Sequence, residues 1–476
     1  MNPARRLARL LLAVSAALLL APHAPPAGAQ VSGPQYVVRD GDTLYDIARN
    51  FGVSLEALQA ANPGVVPSAL SIGQSLVIPG FAGVSGTLDT QPLEPGASLD
   101  SLALRLGLKR DTLISLNRVV NPDLLYIQEP VVIVDQADGG PPIATGVMYH
   151  GRAGEGLLAL AAARNQNPWA LASANRLAYP GLLPPRAPVV VPGGDQPLKA
   201  LPFPVRDVLL YPLPPIQGCT LAVRVVSSKP ITATGALGDW PLRFNAGQAQ
   251  GGQAQDLPLL DSWYALQGIY RLADPDLYRL TLTVTDAAGV TVRFSQPLPV
   301  RAGDYAVDRP LTVDPATLDP AATVPENEQV RAIVAPVTPA RYWEGVFAVP
   351  SVGAFRSAFG SLRSYNGGPY DSFHTGVDFS GGEDRPITAP APGVVVFAGP
   401  LSVRGNATLV DHGWGVYTGY WHQSVIQVTV GDRVETGQVI GFNGVTGRVT
   451  GPHLHWELWV GGIQVDPLQW TTDVFP

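Results

Sequence analysis

Cysteine is almost absent. Cys219 stands alone in 476 residues, so neither an intramolecular disulfide nor a thiolate metal site can hold this chain together. Each domain must rely on its own apolar core or on a metal bound by other side chains. Cys219 precedes the apolar, strand-like run Thr220-Leu221-Ala222-Val223, which predicts a buried structural thiol rather than a nucleophile. Charge is also sparse, at 14% of residues, with a formal balance of -7 that makes nucleic acid a poor partner. Beyond the first thirty residues no apolar run is long enough to span a bilayer. No His-Glu-x-x-His pair occurs, which excludes a helix-borne zinc site with its own glutamate base. What the chain has in plenty is Gly (51) and Pro (47), a balance favouring short strands and turns over long helices.

The first 29 residues read as a secretory signal. Arg5, Arg6 and Arg9 precede an apolar run from Leu10 to Ala21, and small residues Ala27-Gly28-Ala29 follow. An uncleaved anchor is the alternative, but the run is shorter than the ~20 residues a spanning helix needs. Removal takes away three arginines and no acid, leaving the formal charge at -10. The mature protein is therefore expected outside the cytoplasm, in the wall, the periplasm or the medium, and free of the membrane.

A chain of this length predicts several domains. Between Tyr36 and Pro79 the pattern is strand, helix, helix, strand. Tyr36-Val37-Val38-Arg39 leads into Asp40-Gly41-Asp42-Thr43-Leu44, where Asp42 or Thr43 can cap a helix carrying Leu44, Ile47, Ala48 and Phe51. Ser54 caps a second helix that Asn62-Pro63-Gly64 closes, and Ser75-Leu76-Val77-Ile78 forms the last strand. Residues 36–79 resemble a LysM domain in the opening Val-Val-x-x-Gly-Asp-Thr-Leu, the central Asn-Pro and the closing Leu-x-x-Gly-Gln-x-Leu-x-Ile-Pro. The resemblance implies binding of glycan containing N-acetylglucosamine near Gly41, Asp42, Thr43 and Asn62. Helix capping and turn formation account for Asp42 and Thr43 equally well. The layout recurs without the Gly-Asp-Thr opening over 87–134 and 146–192, predicting two degenerate LysM-like units.

Over 199–301 short alternating runs predict an immunoglobulin-like β-sandwich, with Asp286-Ala287-Ala288-Gly289 as a hairpin turn. No acid or histidine cluster marks it, so a spacer role is expected. Residues 302–345 carry six prolines between Ala302 and Arg341 and read as a linker that packs lightly on its neighbours.

The strongest chemical signal lies in 346–476. Of seven histidines, His374, His412, His422, His453 and His455 fall in the last 103 residues. His374 and Asp378 in an extended strand would stand ~13 Å apart, too far to share an ion, unless the chain bends at Gly376. In Gly451-Pro452-His453-Leu454-His455-Trp456-Glu457 alternation places His453 and His455 on one face, ~6.6 Å apart along the strand. One can then ligate a metal while the other reaches the reacting atoms. Glu457 shares that face, as an outer partner of a ligand or as an exposed carboxylate. Tyr417-Thr418-Gly419-Tyr420-Trp421-His422 offers a further imidazole, and His412 in a turn reads as structural or as part of the site's rim.

These segments resemble the lysostaphin (LytM) zinc metallopeptidases, with His-x-x-x-Asp, an intervening Tyr-x-His and a later His-x-His all present. The resemblance implies one zinc ion held by His374, Asp378 and His455, with His422 and His453 catalytic. Two neutral imidazoles and one carboxylate leave an open position for water. Spacing does not say which histidine takes its proton. The implied activity is hydrolysis of stem-peptide or cross-bridge bonds in peptidoglycan, with LysM as glycan tether. A wall-binding activator without catalysis, or an enzyme held latent, is the rival. The expected fold is multidomain and mainly β: βααβ LysM units, a sandwich, and an antiparallel β peptidase domain.

Overall fold

The computed structural model describes residues 33–81, 83–135, 142–151, 154–181, 183, 188–247 and 261–476. The leader expected over 1–29 lies outside the described residues. The chain forms two compact units. One comprises the described residues of Met1–Thr90 and Val132–Gln136, the other those of Gln91–Val131 and Ala137–Pro476. No helix among the described residues is long and apolar enough to cross a membrane.

In the first unit β1 (Gln35–Val37) pairs antiparallel with β2 (Ser75–Val77) around α1 (Leu44–Asn50) and α2 (Leu55–Ala61). Both helices start where an oxygen side chain can satisfy a free backbone N–H. Thr43 accepts from the Asp46 N–H and Ser54 from the Ala57 N–H, each at 3.1 Å. Ile47, Leu58, Leu76 and Ile78 fill the small core.

The division between units falls within β3 (Leu88–Pro92) and β4 (Pro130–Val134), which bracket α3 (Leu99–Leu106) and α4 (Arg110–Asn117) in sequence. Further on, β5 (Thr145–His150) pairs with β6 (Pro188–Pro197) around α5 (Leu157–Ala163) and α6 (Pro168–Ala174). An asparagine amide plays the same part in the first and the last of these three layouts. Asn62 donates to Leu58 O and Val77 O and accepts from Val77 N, all at 2.8 Å. Asn175 makes the same three bonds to Leu171 O, Val190 O and Val190 N. Each ties a helix end to the returning strand.

The sandwich has two four-stranded antiparallel sheets. One contains β7 (Val205–Tyr211), β8 (Thr220–Ser227), β11 (Asn245–Ala246) and β12 (Asp261–Gly268). The other contains β9 (Ile231–Leu237), β10 (Trp240–Leu242), β13 (Leu277–Asp286) and β14 (Thr291–Pro299). Alternate residues such as Val223, Val225, Leu282 and Val284 face inward and form the core. The β13–β14 hairpin turns where predicted, with Asp286 Oδ1 accepting from Ala288 N and Val290 N, and Gly289 at φ +78°. Cys219 is half-buried, and burial together with Asp466 and Asp473 pushes its thiol up to about 12, which keeps it an unreactive thiol.

The lightly packed linker expected over 302–345 requires correction. Val307 and Leu311 bridge in parallel to Leu362 and Tyr365, and α7 (Pro320–Val334) buries Val330 and Val334 against Leu409, Tyr417 and Trp421. The Glu326 carboxylate is buried, accepting from Val403 N at 2.6 Å and Arg404 N at 3.1 Å and pairing with Arg404 Nη1 at 2.9 Å. Prolines misled because Pro320 occupies the first helical turn, where its missing N–H is not needed.

The C-terminal part is one large antiparallel sheet. Its elements are β15 (Ala354–Ser357), β18 (Val377–Ser380), β19 (Pro386–Thr388), β20 (Gly393–Leu401), β21 (Gly405–Gly413), β22 (Val416–Ile426), β23 (Arg433–Val434), β24 (Val439–Asn443), β25 (His453–Val460) and β26 (Ile463–Val465). The order β15-β18-β25-β22-β21-β20-β23 puts β25 between β18 and β22, while β16 (Leu362–Arg363) and β17 (Ser372–Phe373) form a separate pair. Trp343, Phe347, Trp414 and Trp470 cluster beneath the sheet and pack on Ala222 and Leu266, so the sandwich is docked onto this domain rather than strung beside it.

Candidate metal centre

Strand register brings the distant histidine motifs together. Asp378 on β18 sits directly opposite His455 on β25, and His455 is in turn opposite Trp421 on β22. Side chains at directly opposed positions start ~5 Å apart, so Asp378 and His455 share a site from backbone geometry alone. His374 joins them because the chain turns at Gly376, where a Cβ would overlap the Trp456 carbonyl and press on His455 Nε2. His422 follows by a different device. Between Asn406 and Thr408 the β21–β22 register slips, and His422 sits in that bulge at φ +64°, a left-handed conformation rare for a non-glycine residue. Its backbone N–H is held by Arg404 O at 2.9 Å.

Each imidazole has its outer nitrogen anchored and its inner nitrogen turned to the site. His374 Nδ1 donates to Ala358 O at 2.8 Å, His422 Nδ1 to Thr446 O at 2.8 Å and His453 Nδ1 to Gly451 O at 2.8 Å. His455 Nε2 donates to Glu457 Oε1 at 3.1 Å. Carbonyls and carboxylates only accept, so the anchored nitrogens carry the protons and the inward nitrogens present lone pairs.

His374 Nε2 and His455 Nδ1 are 2.9 Å apart and lie 3.0 Å and 2.8 Å from Asp378 Oδ1. The ligand atoms of these three residues all fall within 4.8 Å of one another. Three electron-pair donors this close repel one another unless a cation or a shared proton lies among them, and together they could hold a metal ion. Two imidazoles and a carboxylate are the donor set of a catalytic zinc site with a position left open, so the residues fit the metal. His453 Nε2 stands farther off, 3.8 Å from Asp378 Oδ1, and its ring centroid is 5.0 Å from that of His422. The five predicted site residues are thus gathered into three clustered donors and two adjoining imidazoles.

Electrostatics set His455 apart from the other three imidazoles. Burial pushes His374 down to about 4 and His422 to about 3, and lowers His453, so these three are neutral bases at pH 7. Burial also acts against charge on His455, but the Asp378 and Glu457 carboxylates on either side of the ring favour its charged form, which a proton or a metal at Nδ1 would supply, and raise that pKa. Asp378, despite burial, is held well below the usual carboxylate range by the His374 and His455 imidazoles against it.

Two partners, Arg363 and Asp308, escaped sequence reasoning. Glu457, read as either an outer partner of a ligand or an exposed strand carboxylate, is buried, bonded to His455 and Thr375, and lowered to about 2 despite burial, chiefly by the His455 hydrogen bond. Arg363 Nη2 lies 3.4 Å from Asp378 Oδ2, with Asp308 3.2 Å from its Nε. Neither residue carries a motif. His412 is buried inside β21 rather than in a turn, bonding Pro392 O and Thr418 Oγ at 2.8 Å, and plays no part in the site. At the other end of the chain Asp42 accepts from Tyr36 and Arg39, Thr43 caps α1, and Asn62 has both N–H groups committed to backbone carbonyls. Of the four glycan candidates only Gly41, at φ +81° and surrounded by open space, lacks a structural bond of this kind.

A cleft of ≈ 1300 Å³ opens over His422, His453 and His455, walled by β16–β17 and by the segment from Asp308 to Arg331. A buried histidine–aspartate cluster on an antiparallel sheet under an open groove defines a metallopeptidase-type site. Comparison with known proteins agrees: residues 372–467 match peptidase family M23 and residues 36–79 match the LysM domain. The chain thus carries an M23 peptidase domain of the lysostaphin type and an N-terminal LysM domain. Among curated proteins it is 44% identical over 95 residues to the DD-carboxypeptidase/endopeptidase Mpg of Neisseria meningitidis, covering 20% of this chain and 22% of the relative. It is 43% identical over 96 residues to the peptidoglycan DD-endopeptidase ShyA of Vibrio cholerae, again covering 20% and 22%. The chain therefore spans under a quarter of the length of these relatives. Among solved structures, a peptidase M23 from Pseudomonas aeruginosa aligns over 55% of this chain and 96% of its own, at 24% identity and TM-score 0.39. The catalytic domain of lysostaphin from Staphylococcus simulans aligns over 28% and 93%, at 31% identity and TM-score 0.21.

Proposed function

We propose that this chain is an exported zinc endopeptidase that hydrolyses peptide bonds in peptidoglycan and is held on the wall glycan by its LysM domain. The observation that carries the reading is the convergence of His374 Nε2, His455 Nδ1 and Asp378 Oδ1, each inward lone pair enforced by a hydrogen bond on the far side of its ring. These three residues would hold one zinc ion. Bound there, the metal supplies Lewis acidity towards the scissile carbonyl and an acidified water.

The protein's own groups do the rest. Glu457 fixes the His455 tautomer, and Ala358 O fixes that of His374. His453 and His422 each turn a free Nε2 lone pair to the cleft, so either can take the proton of the attacking water, and the N–H it thereby gains can stabilise the oxyanion or protonate the leaving amine. His422 cannot swing away, because its ring and its backbone are both hydrogen-bonded. ShyA is by name a peptidoglycan DD-endopeptidase, and a LysM domain on the same chain fits a substrate in which glycan and peptide are one polymer. Tethering raises the local concentration of catalyst at an insoluble substrate. The signal-like leader fits a site of action in the wall or periplasm.

The test is zinc content of the purified mature protein alongside release of soluble fragments and new amino termini from purified walls. One zinc per chain and release abolished by chelator are expected. Undiminished hydrolysis with no metal bound would overturn the reading.

A further inference from the structure

The cleft over the metal centre contains a guanidinium with no acid to match it. Three arginines lie near one another there. Arg363 pairs with Asp308 and Asp378, and Arg404 with Glu326. Arg448 has no ion-pair partner among the described residues; its Nη1 donates only to Thr317 O, at 3.3 Å, and its guanidinium lies 4.9 Å from the centre of the Tyr365 ring. Burial, with Arg404 and Arg363 close by, depresses its affinity for its proton, and neither Tyr365 nor the Glu326 carboxylate, which is engaged with Arg404, offsets this. Taking a cation out of water without a counter-charge is unfavourable, so such a group is commonly completed by a ligand.

Its placement is rigid. Arg448 N donates to Val403 O at 2.8 Å. Gly447, at φ +77°, packs so tightly on Gly405 and Val403 that a Cβ has no room. Thr446, two residues before Arg448, supplies the carbonyl that orients His422. Arg448 and His422 are therefore held by one loop, and both face the same cleft.

We propose that Arg448, seated on Tyr365, binds a free carboxylate of the peptide substrate and so selects which peptide bond is delivered to His422 and His453. A planar guanidinium receives a carboxylate through two parallel hydrogen bonds, giving orientation as well as affinity. The proposal rests on the peptidase reading for the identity of the bound molecule. It is independent of that reading as a statement about carboxylate binding.

Binding to the full-length protein, as purified and after chelation, separates the two. The probes are N-acetyl-D-alanyl-D-alanine, its C-terminal amide, and the α-amide of N-acetyl-D-alanyl-D-glutamate, which keeps only a side-chain carboxylate. One acidic probe is expected to bind roughly 10- to 100-fold more tightly than the neutral amide, the worth of a charge-assisted pair. Which one identifies the carboxylate as terminal or side-chain. Arg448→Gln should bring that probe down to the level of the amide without moving binding of the amide. Arg448→Lys, which keeps the charge but not the fork, should fall between, and it decides the matter if the Gln variant does not fold. Equal binding of acid and amide by the unsubstituted protein, or an acid preference that survives in Arg448→Gln, would overturn the proposal. Fragment release from walls without acid preference sinks the carboxylate site alone. Acid preference without any fragment release sinks the peptidase reading alone.

Discussion

Substituting His455 and His453 separately should produce two different proteins from neighbouring positions on one strand. His455 Nδ1 contacts both other donors, at 2.9 Å and 2.8 Å, so His455→Ala removes one ligand of three and the metal should be lost with it. The change also strips the buried Glu457 carboxylate of its imidazole partner. Leaving a buried charge short of its partner costs about 3 kcal/mol, so thermal stability should fall measurably. His453 Nε2 stands 3.8 Å from Asp378 Oδ1, and its only anchoring bond is to Gly451 O. His453→Ala should therefore retain one zinc per chain and most of its stability, while the rate of wall hydrolysis falls by roughly 10²- to 10⁴-fold, the usual contribution of a positioned proton-transfer group. Zinc is counted by elemental mass spectrometry after gel filtration, and hydrolysis by new amino termini. Equal metal loss in both variants would refute the division between ligand and catalyst.

Three further outcomes follow from other parts of the molecule. Glu326→Ala strands the Val403 and Arg404 N–H groups and the Arg404 guanidinium, and should lower unfolding free energy by roughly 3–5 kcal/mol in urea titration; a loss below about 1 kcal/mol would mean that α7 is not an integral wall of the peptidase domain. Burial holds His412 neutral with a pKa of about 4 against 6.5 when free, so the unfolded chain takes up a proton that the folded chain refuses. Its contribution is complete above pH 6.5 and drains away as the pH falls towards 4, by about 3 kcal/mol, a loss that His412→Gln should reduce when urea midpoints at the two ends are compared. Asn62→Ala should leave Val77 N and O without partners and weaken the LysM fold by about 2 kcal/mol, read as faster amide exchange in β2 of the full-length protein; unchanged exchange would return Asn62 to the glycan candidates.

How much of this was legible beforehand differed by element. The LysM unit was, because its caps and turns are local: Thr43, Ser54 and the Asn62 clamp act within a few residues or across one short pair. Alternation in β25 correctly placed His453 and His455 on one face, and Gly376 was rightly expected to bend the chain, although the obstacle it avoids, the Trp456 carbonyl, comes from a strand eighty residues away. The segment 302–345 was misread because proline content speaks of local backbone freedom, whereas its order comes from Val330, Val334 and Glu326 meeting partners far along the chain.

The amino-acid sequence by itself determined the kind of chemistry, since the number and type of ligating side chains and the presence of only one cysteine are properties of composition and spacing. Only the tertiary structure decided which nitrogen of each imidazole faces the site, that Glu457 is buried behind His455, and that Arg448 is left without an acid. Those outcomes depend on strand register and on a bulge at His422, which are set by pairings between segments that no local pattern records.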